Sequence, residues 1–303
     1  MEINIKKAAD YFFRDSSLES VYFEAVANSL DAHATRIWIK LDIADFQNVS
    51  TFNLKISDNG DGFTDKNFQK FCSLLETEEK THKGLGRLVY MQYFDKVEIE
   101  SIFDKNSRYF IFNRNFKGES DTAKVDKENI TTLRFSGYNL HNIKQYSYVI
   151  PDQIRESLIK YFFPRFYNYK FDKKELEIAI ELTTQNPKAE YNFVNNSIFL
   201  NVKSIPDLLV EDCGENSIDF FAEFKMHYSV KQNFERETLI TAICVDDRTI
   251  SQEIIDKTCL PADYEMIFLL RSDYFDGKAN INRETLEIDD DSKSKIKQLF
   301  LTR

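Results

Sequence analysis

The sequence predicts an α+β protein with two domains, and three observations support this prediction. The chain has 303 residues, which is enough for two medium domains with sizeable cores. Segments with helical spacing of apolar residues are interspersed with segments of strict apolar–polar alternation. None of the five prolines precedes Pro151, and the helical stretch QIRESLIKYFFPRF follows it. We therefore expect one domain over residues 1–150 and a second α+β domain over residues 151–303.

Composition narrows the class of protein. Hydrophobic residues make up 42% and charged residues 30%, which is typical of a soluble protein. No apolar run approaches 18 residues and no signal peptide opens the chain, so we expect a cytoplasmic protein without a membrane partner. Four scattered cysteines form no CxxC pair, which indicates reduced thiols and argues against a zinc site. The net charge of −10 argues against a broadly basic nucleic-acid surface, although a local basic patch stays open.

The first long helix is predicted over Leu18–Ala32, with two different faces. One face carries an apolar stripe formed by Leu18, Tyr22, Val26 and Leu30. The opposite face carries Glu24, Asn28 and Asp31 at i, i+4 and i+7. An ordinary solvated face is the alternative, but no Lys or Arg occurs between residues 18 and 32. Carboxylate and amide oxygens on one face suit Mg²⁺ and the activation of a water molecule.

A β-hairpin is predicted next, and it leads into a glycine-rich turn. Apolar residues alternate with polar ones over two short segments, Arg36–Ile43 and Phe52–Ser57. Asp58 continues the inward-facing set of the second strand, and a buried carboxylate needs a partner such as a purine amino group. Gly60 and Gly62 allow the backbone to approach a ligand closely. The alternative is that DNGDG is only a polar turn.

A second glycine motif is KGLGR, and the residues before it, from 64 to 80, indicate a helix followed by a polar, mobile segment, ETEEKTHK. Glycines at the start of the amphipathic stretch LVYMQYF would expose backbone N–H groups to an anion. Lys80, Lys83 and Arg87 add positive charge, so the segment predicts a phosphate cradle and a lid. A tight turn before a core helix is the alternative. Four of the eight glycines lie in the two motifs, which favours a ligand site.

Further strands are predicted on both sides of residue 150. In the first half they are KVEIESIF, RYFIFNRNF and ITTLRFSG. In the second half they are LEIAIEL, SIFLNV, FFAEFKMHYSV, TLITAICV and EMIFLLRS. The last segment, SKSKIKQLFLTR, indicates a helix, and we expect either that the native chain continues or that this helix packs against a partner.

The order of these motifs resembles the GHKL superfamily of gyrase-type topoisomerases, ninety-kilodalton heat-shock chaperones, histidine kinases and MutL-type mismatch-repair ATPases. The resemblance covers about residues 18–135 and rests on ExxxNSxDA, DNGDGF, KGLGR and a later strand with a threonine. It implies a Bergerat-type α/β two-layer sandwich with a mixed sheet over residues 1–150. It also implies ATP and Mg²⁺ as ligands and a transducer-like domain over residues 151–303.

The resemblance further implies a role for each motif residue. Glu24 would be the general base, Asn28 would bind Mg²⁺ and Asp31 would support the nucleotide pocket. The adenine side would be formed by Asp58, which accepts the amino group, with Gly60, Gly62 and Thr131. Ile130 stands where the family usually has a glycine before that threonine. The phosphates would be contacted by Lys83, Gly84, Leu85, Gly86 and Arg87, with Lys80 as a weaker candidate.

Two segments of the second half resemble the transducer domain of MutL-type and related bacterial ATPases. They are CVDDRTI, over residues 244–250, and SDYFDG with the following NINRET, over residues 272–285. In that family a basic residue of the second segment senses the terminal phosphate. Lys278 and Arg283 are the candidates, and Arg283 is favoured. An ordinary surface loop with scattered charges is the alternative.

The resemblance predicts an Mg²⁺-dependent ATPase in which ATP acts as a conformational clamp. Binding would order a lid at residues 72–86 and favour an N-terminal homodimer that acts on a protein or DNA client. Two alternatives stay open, namely an ATP-binding module without turnover and a protein kinase on the same fold. Histidine kinases usually lack the catalytic glutamate, and no phosphoacceptor hairpin precedes residue 18, so Glu24 favours hydrolysis.

Overall fold

The chain forms two compact units in the computed structural model. One contains Met1–Leu158 with Lys174–Lys203, and the other contains Ile159–Lys173 with Ser204–Arg303. The structure describes residues 5–44, 48–73, 85–140, 143, 145–184, 197–214, 218–219, 221–232, 238–245, 248–251, 263–280 and 285–301. The predicted α+β class is confirmed, because helices and a sheet occur in each unit.

The first unit is built on a mixed sheet of eight described strands. In chain order they are β1 (Arg36–Ile43), β2 (Phe52–Asp58), β3 (Phe94–Phe103), β4 (Asn106–Asn113), β5 (Asp121–Lys124), β6 (Ile130–Tyr138), β7 (Glu177–Thr184) and β8 (Ser197–Asn201). Their order across the sheet is β5-β4-β3-β6-β2-β1-β7-β8. β1 pairs with β7 in parallel, whereas β1 pairs with β2 in antiparallel fashion, so the sheet is mixed.

The predicted hairpin is confirmed, because β1 and β2 pair in antiparallel fashion. Ile39 of β1 lies opposite Ile56 of β2, and Ile37 lies opposite Asp58. The alternating apolar residues of both strands are buried, as their period of two requires. Asp58 therefore ends a core-facing row, beside the turn that follows β2.

Four described helices belong to the first unit: α1 (Ile5–Phe12), α2 (Glu19–Asp31), α3 (Asp65–Cys72) and α4 (Val89–Tyr93). The apolar stripe predicted for α2 is confirmed, since all four of its members are buried. Val21, Ala25 and Ala27 are buried as well, so the apolar face is wider than predicted. This wide face leaves only one polar edge, and the edge carries the predicted ligand-binding residues.

The compact units do not follow a single cut at residue 150, because the chain returns to the first sheet. It leaves the first unit within the long helix α5 (Pro151–Phe171) and comes back to add β7 and β8. β7 is a buried strand that pairs with β1 along its full length, from Arg36 opposite Glu177 to Ile43 opposite Thr184. This pairing joins residues far apart in sequence, which local composition does not reveal.

Helix α5 bends where a proline interrupts its hydrogen bonds. Phe162 has non-helical backbone angles, and Pro164 cannot donate to the carbonyl of Lys160 four residues earlier. The Thr249 hydroxyl lies 2.5 Å from that carbonyl oxygen and 3.0 Å from the Tyr161 carbonyl oxygen. A side chain of the second unit thus takes the place of a missing backbone donor.

The second unit contains a five-stranded sheet in the order β12-β11-β13-β10-β9. The described strands are β9 (Leu209–Asp212), β10 (Lys225–Gln232), β11 (Thr238–Val245), β12 (Arg248–Ser251) and β13 (Tyr264–Arg271). The last helix, α6 (Asp290–Leu301), buries Ile296 and Phe300 in the core of this unit. None of the helices in the described ranges is long and apolar enough to cross a membrane.

Candidate functional site

The polar edge of α2 brings a carboxylate and a carboxamide together. Asn28 Nδ2 donates a hydrogen bond to Glu24 Oε1 at 3.1 Å. A carboxylate only accepts, so the amide nitrogen of Asn28 is the atom that faces Glu24. Asn28 is exposed and Glu24 is half-buried, which leaves the Asn28 Oδ1 atom available to a cation. Asp31 lies exposed at the C-terminal end of the same helix.

Asp58 is held as a buried hydrogen-bond acceptor at the end of β2. Only 5% of the residue is exposed. Ser29 Oγ donates to its Oδ2 atom at 3.0 Å, and the Gly60 backbone N–H donates to its Oδ1 atom at 2.9 Å. Burial raises the pKa of Asp58, while the bonds from Gly60 and Ser29 oppose that rise. A ligand N–H can add a further bond, because each carboxylate oxygen has more than one lone pair.

The turn after β2 closes tightly against the end of α2. A Cβ atom at Gly60 would lie 2.5 Å from the Ala32 carbonyl oxygen. Gly62 has a φ of +72°, and a Cβ there would lie 2.6 Å from Ser101 Oγ. Asp61 N–H donates to the Ala32 carbonyl at 2.8 Å, which ties the turn to α2. Both glycines are therefore required by space, and Gly62 also by its backbone angle.

Thr131 lies beside Asp58 in the sheet. The two residues are register partners in the pairing of β2 with β6. Thr131 is buried, and its hydroxyl lies 2.8 Å from Ser101 Oγ, which in turn accepts the Phe63 N–H at 2.8 Å. Ile130, which replaces the glycine of the family pattern, begins the regular strand β6. The structure therefore brings Asp58, Gly60, Gly62 and Thr131 together without a turn at residue 130.

The KGLGR motif reaches α2 through its last residues. Gly86 opens a short 3-10 turn, Gly86–Leu88, that leads into α4. A Cβ atom at Gly86 would overlap the Glu24 carboxylate, so only glycine leaves room for that side chain. Leu85 is buried. The structure thus places the two predicted motifs in direct contact through Glu24 of the first and Gly86 of the second.

Arg87 is buried with unused hydrogen-bond donors. It is 6% exposed, and its guanidinium lies over the Phe71 ring at 4.5 Å from the centroid. Its Nε and Nη2 atoms have no hydrogen-bond partner among the residues that the structure describes. Burial lowers the pKa of Arg87 to about 10, and the nearby Glu24 carboxylate opposes this shift. Buried donors without acceptors are uncommon, and an anion would satisfy them.

These features fit a nucleotide with Mg²⁺. The Arg87 donors can take phosphate oxygens, the Asn28 oxygen can take Mg²⁺, and Asp58 can take an amino group of a base. Magnesium usually binds one or two protein oxygens together with substrate phosphates, which matches a single amide oxygen. Four further predicted site residues lie outside the described residues, namely Lys80, Lys83, Gly84 and Arg283. Lys278, in the second unit, places its Nζ atom 3.0 Å from the centroid of the Tyr274 ring.

Three residues that contact the site were not predicted from the sequence: Ser29, Ser101 and Tyr90, whose hydroxyl oxygen lies 3.4 Å from Asn28 Nδ2. Ser29 could have been found from the sequence, because it is a polar residue on the apolar face of α2, among buried alanine and leucine residues. A buried hydroxyl needs a hydrogen-bond partner. Tyr90 belongs to an amphipathic stretch that indicated only a core helix. Ser101 lies on β3 and meets Thr131 only through the pairing of β3 with β6.

Known proteins resemble this chain in their sequence pattern and in their fold. Residues 16–147 match the family model described as histidine kinase-, DNA gyrase B-, and HSP90-like ATPase. A crystal structure of the N-terminal domain of a DNA repair protein shares the fold over 99% of this chain and 96% of that chain, with a TM-score of 0.60 and 15% identity. No curated protein matches the chain. The resemblance stated from the motifs is thereby confirmed over residues 16–147, which match the histidine kinase-, DNA gyrase B- and HSP90-like ATPase family.

Proposed function

We propose that the protein binds ATP with Mg²⁺ and hydrolyses it at the polar edge of α2. One observation carries this proposal. The buried Arg87 guanidinium lies beside the Glu24 carboxylate, its Nε and Nη2 atoms have no partner among the described residues, and Glu24 leaves no space for a side chain at position 86. A site that joins an acceptor-only base with unpaired cationic donors suits phosphoryl transfer to water.

Asp58 is proposed to recognise the adenine. Its two oxygens are fixed by Ser29 and Gly60, so the carboxylate is oriented before a ligand arrives. An adenine amino group is a donor, and a hydrogen bond to a charged acceptor contributes about 1.5–3 kcal/mol. Gly60 and Gly62 keep the backbone close to this acceptor, and Thr131 lies beside it.

Glu24 is proposed to accept a proton from the attacking water. Asn28 orients the Glu24 carboxylate through the 3.1 Å hydrogen bond from Nδ2. Arg87 stabilises negative charge that develops on the phosphate oxygens. Mg²⁺ held by Asn28 would neutralise phosphate charge and align the phosphates. Six further residues remain part of the proposal by family resemblance. Four of them would lie on the phosphate side, namely Lys80, Lys83, Gly84 and Leu85. Asp31 would lie beside the pocket, and Arg283 would sense the terminal phosphate.

The proposal is tested by the release of inorganic phosphate from Mg²⁺·ATP, with wild-type protein and Glu24→Gln. Loss of a general base lowers turnover by about 100-fold or more, whereas ATP binding measured by calorimetry should persist. Glu100→Gln is a matched control, because Glu100 is a half-exposed carboxylate of the same unit that pairs with Arg134. This control should hydrolyse ATP at the wild-type rate.

Each rival function gives a different result in this experiment. Binding of ATP without phosphate release by the wild type would indicate a module that does not turn over. Radiolabel transferred from γ-labelled ATP to protein would indicate a kinase. Equal turnover by Glu24→Gln and wild type would remove Glu24 from the role of base.

ATP is further proposed to act as a clamp that favours an N-terminal homodimer around a protein or DNA client. Contacts within the first unit support this step. Helix α1 packs against α4, which directly follows the turn with Gly86 and Arg87. The Tyr93 hydroxyl of α4 bonds to the Ser16 carbonyl, just after α1. A change at the phosphate side is therefore transmitted by direct packing to the N-terminal segment.

A further inference from the structure

We infer that Tyr90 is a positioning residue that orients the Asn28 carboxamide toward Mg²⁺. This inference rests on the proposed function and adds to it a residue outside the motifs ExxxN and KGLGR. Two helices bring the side chains together, since Asn28 lies on α2 and Tyr90 lies on α4.

The Asn28 amide nitrogen has two hydrogens and two neighbours. It donates to Glu24 Oε1 at 3.1 Å and to the Tyr90 hydroxyl oxygen at 3.4 Å. With both hydrogens directed to these acceptors, the Oδ1 atom must point away from Glu24 and Tyr90. The oxygen is thus the free end of the carboxamide, and oxygen is the ligand that Mg²⁺ requires.

Tyr90 can hold this orientation because it is itself fixed. Its side chain is buried at 1% exposure, and its ring packs edge-on against Phe135 with centroids 5.1 Å apart. Asn28, in contrast, is exposed, and among the described residues its side chain has Glu24 as its one other hydrogen-bond partner. A rigid phenol next to an exposed carboxamide is therefore the element that restricts the orientation of Asn28.

The test compares the Mg²⁺ dependence of nucleotide binding in wild type and Tyr90→Phe. A non-hydrolysable ATP analogue is titrated calorimetrically into each protein, once with Mg²⁺ and once with EDTA. Removing one neutral hydrogen bond should reduce the gain in affinity that Mg²⁺ provides by about 3- to 10-fold. Affinity in EDTA should stay unchanged, because Asp58 and the adenine side are untouched.

Tyr93→Phe is the matched control. Tyr93 lies on the same short helix and is also buried, but its hydroxyl bonds to Ser16 and not to Asn28. Tyr93→Phe should keep the wild-type Mg²⁺ dependence even if its melting temperature falls. A second comparison uses Asn28→Ala, in which Tyr90→Phe should have no further effect on Mg²⁺ dependence if Tyr90 acts through Asn28.

The outcomes separate the inference from the proposed function. Equal Mg²⁺ dependence in wild type and Tyr90→Phe would overturn the role of Tyr90 and leave ATP binding intact. An equal loss in Tyr93→Phe would also overturn it, because general destabilisation would then account for the effect. Absence of nucleotide binding by the wild type would overturn both the function and the inference.

Discussion

Asp58 combines a stability cost with a proposed binding role in one carboxylate. Burial raises its pKa from 3.8, so the folded state holds the proton more tightly than the unfolded state. The contribution of Asp58 to stability is then largest below pH 3.8 and is lost as the pH rises through the folded pKa. Above that pKa the carboxylate is a desolvated charge, which a ligand donor can offset.

Asp58→Asn should therefore stabilise the free protein and weaken nucleotide binding. Asparagine cannot ionise, so no charge is buried in the variant. The melting temperature of Asp58→Asn should therefore exceed that of wild type at pH 7, and the difference should shrink toward pH 4. Affinity for ATP should fall by about 10- to 100-fold, because an acceptor for the amino group becomes a donor. Thermal melts across this pH range and calorimetric titration measure the two effects.

Asp61→Asn provides the control for this prediction. Asp61 lies in the same turn, but it is exposed and pairs with His33 at 2.7 Å. Its replacement should leave ATP affinity unchanged. Wild-type affinity in Asp58→Asn would contradict the assignment of Asp58 to the adenine.

Single residues differ in how well the sequence predicts their position. Asp58 was expected to face the core because it continues a period of two from Ile56, and the register confirms that position. Ser101 carries no such signal, because its partner Thr131 is supplied by a neighbouring strand. The ring of Tyr90 fits the apolar pattern of a core helix, so the sequence gives no reason to expect a polar role. The hydrogen bond of its hydroxyl depends on the packing of α2 against α4, which the sequence does not reveal.

At the scale of elements, the 3-10 turn Gly86–Leu88 links the two motifs of the proposed site. It packs against α2 so closely that a Cβ atom at position 86 would overlap the Glu24 carboxylate. The position of the turn therefore determines the orientation of the proposed base.

Gly86→Ala should impair turnover more than nucleotide binding. The added Cβ overlaps the Glu24 carboxylate, so Glu24 or the turn must shift, and a misplacement of about 1 Å can lower turnover by about 100-fold. Adenine recognition by Asp58 should persist. Phosphate release and calorimetric affinity for an ATP analogue check both points, and an unchanged turnover number would contradict the requirement for glycine.

Most strands with a buried face were predicted, apart from the short β12, whereas two strands without one, β5 and β9, were missed. Every residue of β5 and of β9 is exposed, so neither strand has the alternation that indicates a strand. Both lie at the edge of their sheets, where one neighbour is enough to hold them. β2 and β6 lie inside the sheet and alternate clearly.

At the scale of the whole molecule, the proposed clamp predicts a dimer that depends on the nucleotide. Sedimentation velocity should show a larger dimer fraction with Mg²⁺ and a non-hydrolysable ATP analogue than with ADP, because the terminal phosphate contacts differ between the two states. Asp58→Asn should stay monomeric with both nucleotides at the same concentration. Equal sedimentation with analogue and ADP would contradict the clamp.

The parallel pairing of β1 with β7 also has a consequence for synthesis of the chain on the ribosome. On the order of 130 residues separate the end of β1 from the start of β7, and translation at about 5–20 residues per second needs roughly 7–27 s to cover them. During that interval β1 presents an unpaired edge with an apolar face. The growing polypeptide is therefore exposed to misassembly along β1 until β7 is made, and a chaperone that shields β1 at this stage would raise the yield of native protein.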